Sequence, residues 1–495
     1  MSHSTAIPIN LEVFEHPRHY EPRSFVNRET ELEIVAKKVR SAQGGTPISE
    51  PVINFWGVSG IGKTWLIRHI HHLYRYTPPG KPSTLQPTFA LLLQFQPDPA
   101  AHTLDAVTRA LARDALKQLG AVLEQEEVSD LSQAAETGKI DEFIRAVQSL
   151  SKRLIPLLLF DNAEKLESQA WENLEMQVIE PLVSTNRVLV VISGRRQAPR
   201  WRRFEVRRRV MESDTTQVLP FTHEGVERQL RSSNYHLPAS SLVEYSAGHP
   251  LLVDAVARNF DAWRVKSDAP LDDAHRSALV QILRAAEVKL LESIPAELRG
   301  VLYSIIPLRS YLGEALRYML EEAGEEYRNL KDVYFVQLLR RLDGTESVWW
   351  DKAQRAYTTS QVVRKLVNWR MLLEDSRAFI QIHRRALDMY WSWAQEIPKV
   401  SEDYLQEILF HLGMIYQADR DRKALQDSIA TTLNFARKYL GSDRKMRLKQ
   451  AIVGDGRREG DQELRDLLSE DLFRKLSAEL TALIDHASQP GEEGG

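Results

Sequence analysis

At 495 residues the chain has room for about three domains. It is 43% hydrophobic and 27% charged, with a mean hydropathy of −0.36, the composition of an ordinary globular protein. It has no cysteine, which excludes disulfides, thiolate nucleophiles and cysteine-ligated zinc or iron–sulfur centres, and its net charge of −3 supplies no global field for nucleic acid. The start, MSHSTAIPINLEVFEHPRHY, lacks the basic region and apolar stretch of a secretory signal. No apolar run approaches the ~20 residues of a membrane helix. These features predict a cytoplasmic protein with no membrane partner.

Residues 1–24 read as an N-terminal extension too short for a domain. From 25 to 222, β-type runs alternate with helical stretches: VINFW (52–56), FALLLQFQ (89–96), LIPLLLF (154–160), RVLVVIS (187–193) and TQVLPF (216–221). The runs are apolar throughout, as in strands covered on both faces, and the order predicts an α/β domain with a parallel sheet and helices on both faces. Residues 223–275 read as a small helical lid. Residues 276–400 are helical around a hairpin near RMLLEDSRAFIQIH (370–383). From 401 to 495 the chain is helical, and SQPGEEGG (488–495) closes it as a disordered tail. Leu464, Leu468, Leu472, Leu476 and Leu480 form one apolar stripe, either core or a docking surface.

GVSGIGKT (57–64) has the spacing G-x-x-x-x-G-K-[ST] of a phosphate-binding loop, entered from one predicted strand and left through a predicted helix. Its glycines let the backbone turn N–H groups onto an oxyanion at a helix N-terminus. Gly57, Ser59, Gly60, Ile61, Gly62, Lys63, Thr64 and the adjoining Trp65 are therefore nucleotide-binding candidates. Lys63 would reach the β- and γ-phosphates, and the Thr64 hydroxyl would ligate Mg²⁺. LLLFDNAEKL (157–166) places Asp161 at a strand's C-terminal end, where a carboxylate holds Mg²⁺ in P-loop enzymes; the bland reading of Asp161 is a helix N-cap. Glu164, one turn on, either polarises the attacking water or faces solvent. Asn162 stands where a second acid often lies, and an amide is no base, so turnover should be slow. Arg195, with Arg196 in reserve, ends the next strand, where its fork can read a γ-phosphate.

The arginine-rich stretch 195–209, eight arginines in fifteen residues with Trp201 and Phe204, reads three ways: contact with a neighbouring subunit's nucleotide, with nucleic acid, or a solvated loop with ion pairs. The run HIHH (69–72) has no further ligand at metal spacing.

FVNRETEL (25–32), the phosphate loop, LLLFD, SAGHPLLVDAVA (246–257) and FIQIHRRALDMY (379–390) together resemble the STAND/NB-ARC class of signalling ATPases, a branch of the AAA+ superfamily, over roughly residues 25–390. In the first box Phe25, Val26 and Arg28 match, and Asn27 replaces a glycine; if a positive φ is needed there, asparagine tolerates it best. The resemblance implies that this box lies beside adenine, that Pro250 packs on the base, and that His383, following the hairpin in a winged-helix domain, contacts the β-phosphate of ADP. Arg384 stands where the family often has an aspartate. Catalytic candidates are then Lys63, Asp161, Glu164 and Arg195, with Thr64 and Asp161 as Mg²⁺ ligands and ATP/ADP as the nucleotide. The resemblance implies a nucleotide-gated switch that oligomerises, with itself or others, when ATP-bound. Its effector or sensor would be a separate protein, in prokaryotic signalling or anti-phage defence. Nucleic acid is the less favoured partner. The alternatives are a AAA+ motor or loader acting on nucleic acid or protein, and a winged-helix transcription regulator.

Overall fold

The computed structural model describes all residues except 1–6, 78–85, 97, 196–200, 238, 266–270, 456–458 and 486–495; the tail 488–495 and Arg196 thus lie outside the described residues. The chain forms two compact units. One is Met1–Ser293 together with Thr345–Ser347, the other Ile294–Gly344 together with Val348–Gly495.

The first unit is built on a parallel sheet of β1 (Val52–Trp56), β2 (Thr88–Gln94), β3 (Ile155–Asp161) and β4 (Leu189–Gly194), in the order β1-β4-β3-β2. Every residue of β1, β3 and β4 is buried, which explains the uninterrupted apolar runs: a strand covered on both faces has no solvent side on which to place polar residues. Leu157, Leu158, Leu159 and Phe160 alone each contribute about 1.5–3 kcal/mol of transfer free energy at 0% exposure. Helices α1 (Glu29–Gln43), α2 (Lys63–Tyr74), α3 (Leu104–Leu119), α4 (Gln125–Thr137) and α5 (Ile140–Leu150) accompany the sheet. The expected fifth strand, 216–221, is no regular strand. It runs beside β1 through one bridge, with Val218 N donating to Trp56 O at 2.7 Å. Pro220 lacks the donor needed to extend the ladder.

Still within this unit follow α6 (His223–Ser232), α7 (Ala239–Ser246), α8 (Pro250–Trp263) and α9 (Asp273–Leu290). Pro250 opens α8 at a position where a missing N–H costs nothing. The N-terminal segment is fastened to α8: Asn10 N donates to Asn259 Oδ1 at 2.8 Å and Asn259 Nδ2 to Asn10 O at 2.9 Å.

The second unit starts with α10 (Ala296–Ile305), β5 (Ser310–Tyr311), α11 (Gly313–Glu321), α12 (Asp332–Asp343), β6 (Val348–Asp351) and β7 (Ala356–Thr359), the strands forming an antiparallel sheet of order β5-β7-β6. It continues, among the described residues, as helices joined by short links and one isolated bridge, Gly454 to Glu459: α13 (Gln361–Glu374), α14 (Ser376–Glu396), α15 (Glu402–Asp419), α16 (Arg422–Tyr439), α17 (Ser442–Val453), α18 (Gln462–Leu467) and α19 (Glu470–Asp485). The hairpin expected at 370–383 is not there. That stretch is the junction of α13 and α14, where the Asp375 carboxylate accepts from the backbone N–H groups of Arg377 (3.1 Å) and Ala378 (3.0 Å) as an N-cap. The hairpin is β6–β7, where aromatic and β-branched residues cluster in VWWD and AYTT.

The leucine stripe is core: Leu464, Leu468, Leu472, Leu476 and Leu480 are all buried, none above 6% exposed. Buried charges stitch the unit together. Arg309 bonds Glu407 at 2.7 Å and Asp461 at 2.5 Å, and Arg364 holds Glu463 at 2.6 and 2.7 Å.

Candidate functional site

The phosphate loop leaves β1 at Gly57 and ends as α2 begins at Lys63. The Lys63 ammonium is buried and donates to the carbonyls of Gly57 (2.8 Å) and Val58 (3.0 Å). Burial lowers its pKa from the ordinary lysine value to about 8, because a cation out of water favours losing its proton. Thr64 Oγ1 donates to Asp161 Oδ1 at 3.3 Å. Asp161, at the C-terminal end of β3 and 1% exposed, also accepts from Gln94 Nε2 at 2.8 Å and from the Ser193 hydroxyl. The structure thus brings Lys63, Thr64 and Asp161 to one place from two elements, the start of α2 and the end of β3. Asp161 is a buried end-of-strand acid on neutral donors and does not cap a helix.

Glu164 lies in the turn after β3. Its Oε1 is 3.3 Å from Arg195 Nε, while its Oε2 is buried without a hydrogen-bond partner. Burial raises its pKa. Arg195, just beyond β4, further reaches Glu292 Oε1 at 3.2 Å and Glu346 Oε2 at 3.0 Å, both within the first unit. The solvent-facing reading of Glu164 therefore fails, and the arginine at the strand tip is engaged by three carboxylates.

Residues 49–201 match the family model described as an AAA domain. This region is an AAA domain. The fold is that of AAA+ P-loop ATPases, with the parallel sheet and flanking helices followed by a large helical region, and the protein is an ATPase. No curated protein matches the chain. Among solved structures it is similar to the Aeropyrum pernix Orc1 protein in complex with DNA, at 14% identity over 70% of this chain and 93% of that one, with a TM-score of 0.31. It is also similar to Cdc6p from Pyrobaculum aerophilum (16%, 74% and 99%, TM-score 0.32). The Thermotoga maritima RuvB Holliday junction branch migration motor is a third (12%, 69% and 95%, TM-score 0.29). Similarity this remote assigns no ligand or partner to this chain.

Around the AAA domain's phosphate loop the first box adopts the strained backbone its asparagine suggested: Asn27 has φ 63° and Arg28 φ 74°. Asn27 Nδ2 donates to Gly225 O at 3.0 Å. Phe25 stacks on His69 of α2 with centroids 3.9 Å apart, Tyr20 bonds His69 Nδ1 at 2.9 Å, and Tyr20 meets Trp65 edge-on at 5.7 Å. Phe25 and Trp65 are thereby gathered, half-buried, beside the start of α2, with Val26 next in the chain; His69 is part of that aromatic group. Arg28 meets the phosphate loop at a backbone carbonyl. It is buried and donates to the backbone carbonyls of Ile61 and Leu219, both at 2.6 Å, with Glu31 at 3.3 Å and the Phe221 ring 4.5 Å away.

Pro250 follows Gly248 (φ 68°), whose added Cβ would lie 2.1 Å from Phe221 O, so only glycine fits. The residue between them, His249, was not singled out in the sequence, yet it reaches the phosphate loop: its Nε2 lies 2.7 Å from Ser59 O. Its signal was its place inside the GHP box. Gln94 and Ser193, which hold Asp161, carried no signal beyond their position at strand ends.

His383 is placed differently from the expectation. It lies inside α14 and not after a hairpin, is 0% exposed, and has its Nδ1 3.0 Å from Nδ1 of His411 on α15. Burial, with Arg364 nearby, lowers its pKa to about 3. The ring is covered within the second unit's core and offers no surface for a phosphate. In the arginine-rich stretch, Arg202 and Arg203 bond Glu172 and Glu180, and Arg208 and Arg209 bond Glu205. The described part thus carries ion pairs within the chain. Among the described residues no helix is long and apolar enough to cross a membrane.

Proposed function

We propose that this ATPase is a nucleotide-gated switch with slow, regulated hydrolysis, whose two units respond to the nucleotide held by the AAA domain. The observation that carries this reading is the Glu164–Arg195 pair. The candidate water-polarising carboxylate and the candidate γ-phosphate sensor hold each other, and Arg195 is further occupied by Glu292 and Glu346. A site arranged for rapid turnover would leave both groups free to meet a γ-phosphate and its attacking water. ATP binding would have to draw Arg195 off these carboxylates, and that exchange is a change of state. Thr64 and Asp161 fit a Mg²⁺ ion: hydroxyl and carboxylate oxygens lie together, hard donors of the kind it takes, and it would supply charge neutralisation at the phosphates. Asn162, beside Asp161, supplies no second base.

The order α10, β5, α11, α12, β6, β7 with its antiparallel sheet supports reading this stretch as the winged helix that the resemblance implies. Its α12 exposes Val333, Tyr334 and Val336, and its Arg340 and Arg341 are offset by Asp332 and Asp343. This face suits a protein partner better than a phosphate backbone, which calls for a cationic helix. Such a partner in trans, together with oligomerisation in the ATP state, completes the switch that the STAND/NB-ARC resemblance suggests. A full 1:99 to 99:1 shift needs about 5.5 kcal/mol of differential affinity.

The test is to purify the protein without added nucleotide, denature it and identify what is released. Stoichiometric ADP supports the switch. A nucleotide-free protein with rapid ATP turnover stimulated by DNA would overturn it in favour of the AAA+ motor or loader.

A further inference from the structure

The phosphate loop is gripped from outside at two alternate peptide groups. A trans peptide is planar, and its C=O and N–H point in opposite directions. Whatever fixes the carbonyl of one residue therefore aims the N–H of the next. Arg28 Nη2 donates to Ile61 O at 2.6 Å, which turns the Gly62 N–H away from Arg28. His249 Nε2 lies 2.7 Å from Ser59 O, and because a carbonyl can only accept, Nε2 carries the proton. The other ring nitrogen, Nδ1, accepts from Leu252 N at 3.4 Å, so the tautomer is fixed from both sides. The Gly60 N–H is thereby turned away from His249.

Both gripping residues are fixed in turn. Arg28 is buried, held also by Leu219 O and Glu31. His249 is 2% exposed and neutral, its pKa lowered by burial to about 4. The fit against the loop leaves no spare room: a Cβ on Gly60 would come within 2.8 Å of His249 Cε1 and 2.9 Å of Leu251 Cδ2. One grip comes from the box preceding α1, the other from the turn that opens α8.

We propose that Arg28 and His249 are positioning residues that pre-orient the Gly62 and Gly60 N–H groups toward the bound phosphates, so that the helical lid carrying His249 controls phosphate affinity through the Ser59 carbonyl. When the lid shifts, the Ser59–Gly60 peptide is free to rotate, and the loop loses an inward donor it would otherwise hold ready. This deepens the nucleotide reading of the loop and rests on it. Lys63 acts as a charge; these two residues act only through the backbone.

The test uses the full chain and calorimetric titration of ADP and of adenosine. His249→Phe keeps a ring without the donor and should weaken ADP about tenfold, the effect of losing one well-placed hydrogen bond of ~1.4 kcal/mol, while leaving adenosine unchanged. His249→Gln retains an amide donor and should recover ADP binding to within about threefold of the parent. ADP affinity unchanged in His249→Phe, or His249→Gln as weak as His249→Phe, overturns the proposal. If His249→Phe does not fold by circular dichroism, Arg28→Lys decides: lysine keeps the charge beside Glu31 but cannot reach both carbonyls. It too should lose about tenfold on ADP alone, and an unchanged affinity overturns the proposal. Lys63→Ala separates the two ideas, because ADP binding that survives it removes the phosphate loop itself and not merely its grips.

Discussion

Each unit buries ionisable side chains, in different company. In the second unit, opposite charges meet directly: Arg364 takes both oxygens of Glu463, and Arg309 spans Glu407 and Asp461. At the first unit's phosphate loop, Lys63 rests on two backbone carbonyls and Asp161 on two side-chain donors and a threonine, while Glu164 meets Arg195 with one oxygen and leaves the other buried without a hydrogen-bond partner. Paired charges in a core tie together the elements that carry them. Charges held only by neutral dipoles are costly to keep, and the cost is recovered when a ligand brings the opposite charge. The first cluster is therefore read as a site and the second as architecture.

The sharpest way to break this comparison is to remove one charge from each cluster. Arg364→Ala strands Glu463, whose pKa, despite a burial that by itself raises it, is pulled to about 2 chiefly by Arg364. Losing a buried partner costs about 3–5 kcal/mol, so the second unit should unfold at markedly lower denaturant while ADP binding to the folded protein stays unchanged. Chemical denaturation alongside calorimetry checks both halves. A variant as stable as the parent would show that the pair is not architecture.

Asp161→Asn should do the reverse. The amide keeps the side chain's shape but removes the charge that would hold Mg²⁺, so Mg²⁺-dependent ATP hydrolysis should fall about a hundredfold or more. Stability should hold or rise slightly, because a buried charge held by hydrogen bonds from neutral donors is gone. Steady-state turnover and a melting curve on the same preparation decide. A destabilised variant with intact hydrolysis would place Asp161 with the structural charges.

How much of this was legible in the sequence depended on how local each cause is. The phosphate loop, Asp161 and the sheet could be read because strand burial and a glycine-rich turn are written in contiguous residues. The hairpin was misplaced because MLLE and FIQI are apolar enough for strands. The deciding signal was a single N-cap, Asp375, against the aromatic and β-branched pairs of VWWD and AYTT. His383 was misread for the same reason: a histidine after a hairpin faces out, whereas one inside a long helix packs against the next helix. His249 and the partners of Arg195 were illegible, since contacts such as Ser59–His249 and Glu164–Arg195 join residues far apart in the chain. No local pattern records them.

The smallest effect tests the difference in charge state itself. An arginine stays protonated at any accessible pH, so the second unit's cations are fixed. Lys63, lowered by burial to about 8, is not. In the nucleotide-free protein it loses its proton as pH rises through about 8, whereas a bound phosphate favours the ammonium form. Between pH 8 and the ordinary lysine value, ADP binding must then take up a proton, and affinity must fall with rising pH by at most tenfold per unit. Below pH 8 this group contributes no dependence. Calorimetry at pH 9 in two buffers of different ionisation enthalpy should report uptake approaching one proton, and at pH 7 none from Lys63. Lys63→Arg should abolish the uptake at pH 9, because guanidinium does not titrate there. Equal proton uptake in the parent and Lys63→Arg would mean that the buried cation of the first unit is as fixed as those of the second, and the contrast between a site and a scaffold would have to rest on geometry alone.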